Sequence, residues 1–312
     1  MKNLNNYITE RLHITKQTGI ISYKYFPKTR DQLRKILEER LKKDKNANLN
    51  DIDVSQITYM GVRNGYGLFY GLDPHDIDIS NWDVSSVENM SQMFFCCRNF
   101  NSDLSKWDVS NVTNMEAMFE YCKNFNSDLN DWDISNVESI RLMFSNCNNF
   151  NSNLSNWNVS SVKNMEQTFK HCTAFQGKGL ENWKVSKVED TSCMFWGCEN
   201  FNSNLNNWDV SNVKNMSVMF YECERFNSDL SKWDVSKVED MTDMFGWCKN
   251  FEGKGLEKWD VSNVKHMRAM FSDCKKFNSN LSNWDINKEV KDMSHMFDNC
   301  KSLQNKPSWY KE

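Results

Sequence analysis

The chain has 312 residues, a net charge of −4 and 39% hydrophobic residues, a size that suits one large domain or two ordinary ones. No apolar run approaches the ~18 residues of a membrane span, and no signal-peptide apolar region is evident at the amino terminus. The charge is uneven, with twelve Lys/Arg against five Asp/Glu in the first fifty residues. Without interleaved Arg and aromatic residues, that basic head reads as a solvated helix face and no nucleic-acid contact is expected.

In chain order, residues 20–26 read as a short strand ended by Pro27. Thr29 and Gln32 then form a capping box for a helix whose Leu33, Ile36, Leu37 and Leu41 share one face. This head, residues 1–48, is expected to seal a repeat domain of residues 49–312. The first coil places Ile52 where later coils have Trp, and Leu68-Phe69 where later coils have Met-Phe, after an insertion containing Gly61, Gly65 and Gly67.

From Trp82 onward the repeat is regular. Trp82, Trp107, Trp132, Trp157, Trp183, Trp208, Trp233, Trp259 and Trp284 recur every 25 or 26 residues. Such a period marks a stacked solenoid. In the coil from Trp107, Leu104, Trp107 and Val109 have the spacing of a short strand. Val112, Met115, Met118, Phe119 and Cys122 recur as one stripe of a helix. Ser85/Glu88, Ser135/Glu138, Ser186/Glu189 and Ser236/Glu239 match capping boxes for those helices. The fold class expected is α/β: a leucine-rich-repeat-like solenoid of about ten strand–helix coils. Pro307, Ser308, Trp309 and Tyr310 read as a closing strand. The 26-residue steps fall at Gly177-Lys178-Gly179 and Gly253-Lys254-Gly255, where glycine permits positive-φ turns.

Nine of the eleven cysteines share one repeat position, from Cys97 to Cys300. An odd column of parallel side chains suits reduced core packing better than disulfides, and the five histidines occupy unrelated positions. No metal site, cofactor or catalytic motif is expected. Two polar or aromatic columns are the candidate binding residues. The residue after each Trp is Asp83, Asp108, Asp133, Asn158, Lys184, Asp209, Asp234, Asp260 or Asp285. It serves either as a structural ladder or as an acidic recognition stripe. The two residues before each Cys vary most and include Phe95, Tyr121, His171, Trp196, Tyr221 and Trp247, as lateral packing or as a binding patch.

The motif W-D-V-S-x-V-x-x-M-x-x-M-F-x-x-C-x-x-F-N-x-x-L resembles the 25-residue repeat of BspA-like, leucine-rich-repeat-type surface proteins of mycoplasmas and gut bacteria, over residues 50–303. That resemblance implies a non-enzymatic role in adhesion or protein binding, and a cell-surface location. The sequence from Met1 to Glu10, with Ile8-Thr9-Glu10, is similar to the cleavable capsid-targeting peptides of T-even-type phages. This second likeness implies a virion-packaged protein delivered into a host. The expectation is a monomeric scaffold with a protein partner. The reduced Cys column and missing signal region place it in a cytoplasmic or virion setting.

Overall fold

A computed structural model of the chain describes residues 12–15 and 19–311. Residues 1–10, where the phage-peptide likeness falls, lie outside the described residues. The head opens with β1 (Leu12–Thr15) and β2 (Gly19–Ser22), an antiparallel pair. The strand expected over residues 20–26 thus starts with β2. Beyond it, Tyr25 makes an isolated parallel bridge to Ile52 in the first coil.

Helix α1 (Arg30–Lys43) follows as expected, with the Thr29 side chain accepting from the Gln32 amide at 3.3 Å. The Gln32 carbonyl Oε1 accepts from the Lys28 amide, one residue outside the usual capping box. Leu33, Leu37 and Leu41 are buried in the same core as the repeats, with Ile36 packed against it. No helix among the described residues is long and apolar enough to cross a membrane.

The repeats stack as a solenoid, but not of strands and helices. After α1 the described residues contain, besides turns, two short 3-10 turns, Leu180–Asn182 and Leu256–Lys258, and isolated bridges, parallel except for Arg63 with Tyr66. The expected strand–helix coil is replaced by linked tight turns. Amide-to-carbonyl bonds join Trp107 to Leu104, Val112 to Val109, Met118 to Met115, Cys122 to Phe119 and Phe125 to Cys122, all between 2.9 and 3.2 Å. A tight turn brings residues i and i+3 close together, so an apolar residue at both ends points into the core at each corner.

Two residues per coil make a right-handed helix impossible here. Ala117 and Tyr121 have φ of +52° and +63°, and the same two positions are left-handed in every coil from Gln92 and Cys96 to His295 and Asn299. Between these corners, alternate amides leave the coil. Ala117, Phe119 and Tyr121 donate to the carbonyls of Arg141, Met143 and Ser145 one coil later, at 2.8–2.9 Å. These bonds replace the i→i−4 bonds of a helix and offset the left-handed residues, each of which costs about 1 kcal/mol or more.

Polar corners are closed by side chains. The Ser105 amide bonds Asp103 Oδ1, the Ser110 amide bonds Asp108 Oδ1 and the Glu116 amide bonds Asn114 Oδ1, at 2.9–3.1 Å. Asp and Asn favour such local turns, which is why they punctuate each coil. Ser85, and Ser110 at the same position of the next coil, do not cap helices. Their hydroxyls donate to Asp83 and Asp108 at 2.6 Å. The partner glutamates of the expected capping boxes bridge coils instead: Glu138 to Lys163, Glu189 to Lys214 and Glu239 to Lys265, at 2.7–3.0 Å.

Trp and Cys earn their columns because each carries a polar handle that a buried position must satisfy. Trp132 Nε1 donates to the Leu104 carbonyl at 3.0 Å, and Cys122 Sγ to the Phe94 carbonyl at 3.0 Å, both one coil back. The column continues through Trp309, which stacks on Trp284 at 6.0 Å and bonds the Leu281 carbonyl. Pro307 to Tyr310 form a turn and not a strand, yet they extend the core as expected. At the two bulged coils Gly179 and Gly255 have φ of +94° and +93°. A Cβ on either would lie 2.3 Å from the backbone nitrogen of Ser155 or Ser231, so only glycine fits.

Candidate functional site

The turns that face away from the Trp column leave two parallel rows of side chains on the surface. One row holds the first left-handed residue of each coil: Val218, Asp243, Ala269 and His295 in the later coils. The other holds the two residues before each Cys, including Trp196, Tyr221 and Trp247. Between these rows lies a groove of about 490 Å³, running along the stack from Trp196 to Asp298. Val218 and Ala269 belong to its floor, with Arg268 and Ser272 also lining it.

Three of the expected aromatic residues are brought together here, and glycines make the room. A Cβ on Gly246 would meet the Tyr221 ring at 2.7 Å. The Tyr221 ring therefore lies across the Gly246 backbone, edge-to-face with Trp196 at 6.0 Å and 89°. Gly197 does the same for His171, whose ring centroid is 5.1 Å from that of Trp196. The Lys170 ammonium sits 4.1 Å from the Trp196 ring centroid, within cation–π range. Trp196 Nε1 donates to Glu222 at 3.3 Å.

Trp247 differs from its neighbours. It is 40% exposed, its φ is +62°, and its ring stacks on no other ring among the described residues. A bulky residue in the left-handed region is uncommon. Tyr121, also expected as a site residue, stands apart near the amino-terminal end of the row. Its ring packs edge-to-face against Phe95 at 6.0 Å.

Arg268 is the loosely tied charge of the groove. Arg268 lies 3.6 Å from Asp243 and 4.0 Å from Asp292, beyond hydrogen-bond range of either. His295 Nδ1 and Asp298 Oδ2 are 2.8 Å apart. Burial raises the Asp243 carboxyl above its ordinary value, against the pull of Arg268. Burial likewise raises the Tyr221 phenol, helped by the charges of Glu222, Asp243 and Asp273.

The acidic column beside the tryptophans lies on another face. Asp108, Asp133, Asp209, Asp234 and Asp260 are exposed, and Asp83 is half-buried. Each uses Oδ1 to accept the amide of the serine two residues on, at 3.0–3.2 Å. Those serine bonds hold the Asp133 and Asp234 carboxyls below the usual range. Asn158 keeps the same turn, bonding the Ser160 amide. Lys184 cannot, and Asp285 is followed two residues later by Asn287 in place of Ser.

Sequence reasoning missed Val218, Asp243, Arg268, Ala269 and His295. The signal was present: these positions lie three or four residues before the aromatic row in every coil. Aligning the coils as columns and asking which are neither apolar nor constant would have found the second wall. Among the described residues, no cluster of three His, Cys, Asp or Glu is placed to hold a metal.

Comparison with known proteins places the chain. The family model described as "Mycoplasma protein of unknown function, DUF285" matches residues 33–150, 63–180, 164–255 and 231–311, which together span the helix α1 region and the whole stack. The chain belongs to the DUF285 family. No curated protein matches this DUF285 chain. Among solved structures it is similar to the functional domain of InlJ from Listeria monocytogenes, a domain that includes a cysteine ladder, at 12% identity and TM-score 0.19. That match covers 77% of this chain and 63% of the other, so the DUF285 chain spans less than two thirds of its length. An LRR protein of Leptospira interrogans matches at 10% identity and TM-score 0.14, over 77% and 85% of the two chains. Likenesses this weak carry no argument, and the solenoid rests on the contacts described above.

Proposed function

We propose that this DUF285 chain is a non-enzymatic interaction scaffold that seats a segment of another protein in the groove between Tyr221 and Trp247. One observation carries the reading: the Trp247 indole is 40% exposed beside Val218 and Ala269, and its ring stacks on no other ring among the described residues. Exposed aromatic surface costs stability and is concentrated where proteins bind partners. The other aromatic columns of this chain are buried and satisfied, so core packing does not account for Trp247. The likeness of the coil motif to BspA-like repeats supports an adhesion or host-contact setting for the same surface. The free oxygens of Asp108, Asp209 and Asp234 form a second surface, which the test below separates from the groove.

Selection of a displayed random-peptide library on the intact chain tests this directly. Peptides enriched on the wild type should lose enrichment on Trp247→Ala, and retain it on the triple variant Asp108→Asn, Asp209→Asn, Asp234→Asn. Enrichment indifferent to Trp247 would sink the groove reading.

A further inference from the structure

The chemistry of the groove narrows what it accepts, provided that it is a binding site as proposed above. Two carboxylates line it, Asp243 and Asp298, and Glu222 and Asp273 act on Tyr221 beside it. Arg268 and the titratable His295 also line it and Lys170 sits at its Trp196 end, so four carboxylates face two permanent cations near neutral pH. Trp196, Tyr221 and Trp247 line it, and aromatic rings attract cations to their faces. The chain itself supplies an example, because Lys170 sits over Trp196 at one end of the groove. Trp247 carries no such cation among the described residues.

We infer that the groove receives a lysine or arginine side chain from an extended basic segment of a protein partner. The aliphatic stem lies on Val218 and Ala269, the cationic head sits against Trp247 and Tyr221, and Asp243 and Asp298 balance its charge. The groove crosses four coil steps. At ~4.8 Å per step that is roughly 20 Å, the span of about six extended residues. The partner segment therefore lies along the solenoid axis, and a second basic residue two positions away, on the same face of the extended chain, can reach the other carboxylate.

The test uses three six-residue serine peptides, carrying lysine, norleucine or glutamate at positions 2 and 4. Each is titrated into the full chain with 15N-labelled tryptophan, and the Trp247 indole signal is assigned through Trp247→Phe. The lysine peptide should shift the Trp247 signal and bind at least tenfold more tightly than the norleucine peptide. Trp247→Ala should weaken it about tenfold, and the pair Asp243→Asn with Asp298→Asn should weaken it and flatten its salt dependence. Equal binding of the norleucine peptide, or stronger binding of the glutamate peptide, overturns the basic occupant. If the displayed-library selection still depends on Trp247 in that case, the groove stands and only the charge class of its ligand falls. Retention of the indole spectrum of the buried tryptophans shows that each variant is folded.

Discussion

At the scale of single residues, this chain solves one problem repeatedly: how to bury polar atoms without orphaning them. Trp and Cys pass the test by donating to a carbonyl one coil back, and no buried side-chain polar atom among the described residues lacks a partner. Glu120 is the residue where burial is least compensated. It occupies the row that later carries Trp196 and Tyr221, and burial raises its carboxyl to about 7, despite Arg141 and Lys170 nearby. A carboxyl with a raised native value binds its proton more tightly folded than unfolded. Its contribution is fullest below the unfolded value near 4.5 and is lost as pH rises toward 7. The melting temperature of Glu120→Gln should therefore gain on the wild type between pH 5 and 8. A constant difference across that range contradicts the assignment.

At the scale of elements, the carbonyls that open the ladder need donors, and α1 supplies them. Arg30 donates from Nε to the Gly61 carbonyl at 2.8 Å and from Nη2 to the Tyr66 carbonyl at 2.6 Å. Arg34 Nη1 reaches the carbonyls of Leu68 and Tyr70 at 2.7 and 2.9 Å. In the next coil the carbonyl of Met93, which corresponds to Leu68, accepts the amide of Phe69. Two guanidiniums thus stand in for the amides of a coil that is not there. Replacing Arg30 with Ala leaves the Gly61 carbonyl unpaired and takes one of two donors from the Tyr66 carbonyl, which keeps the Arg63 amide, at a cost of about 2 kcal/mol. Amide exchange should accelerate in the first coils, around Ile52 to Phe69, with little change beyond Trp233. Uniform acceleration along the stack would contradict a local cap.

At the scale of the whole molecule, stability is a sum of interfaces between like neighbours, because each coil touches little but the coils beside it. Phe94–Phe119 and Phe119–Phe144 stack at 5.5 and 5.7 Å, and Trp82–Trp107 and Trp107–Trp132 at 6.4 and 6.5 Å. Register is therefore the quantity that matters, not length. Deleting residues 132–156, one complete 25-residue period, should leave a cooperatively folding protein with a lower melting temperature. Deleting about half a period would set Trp against polar corners and abolish cooperative unfolding. If both deletions melt alike by circular dichroism, the nearest-neighbour description fails.

The residues by themselves determined which side chains are buried, the period of the stack, helix α1 with its Thr29 cap, and the need for glycine at residues 179 and 255. These follow from composition and spacing alone: an apolar residue at i and i+3 is inward-facing in a helix and in a tight turn alike. For that same reason spacing could not choose between the two backbones. Only the tertiary structure decided it, because the bonds that make turns cheaper than helices run between coils, from Phe119 to Met143 and onward. The groove is a product of the same choice. Residues 25 or 26 apart in the chain line it, and stacking alone makes neighbours of Trp196, Tyr221 and Trp247.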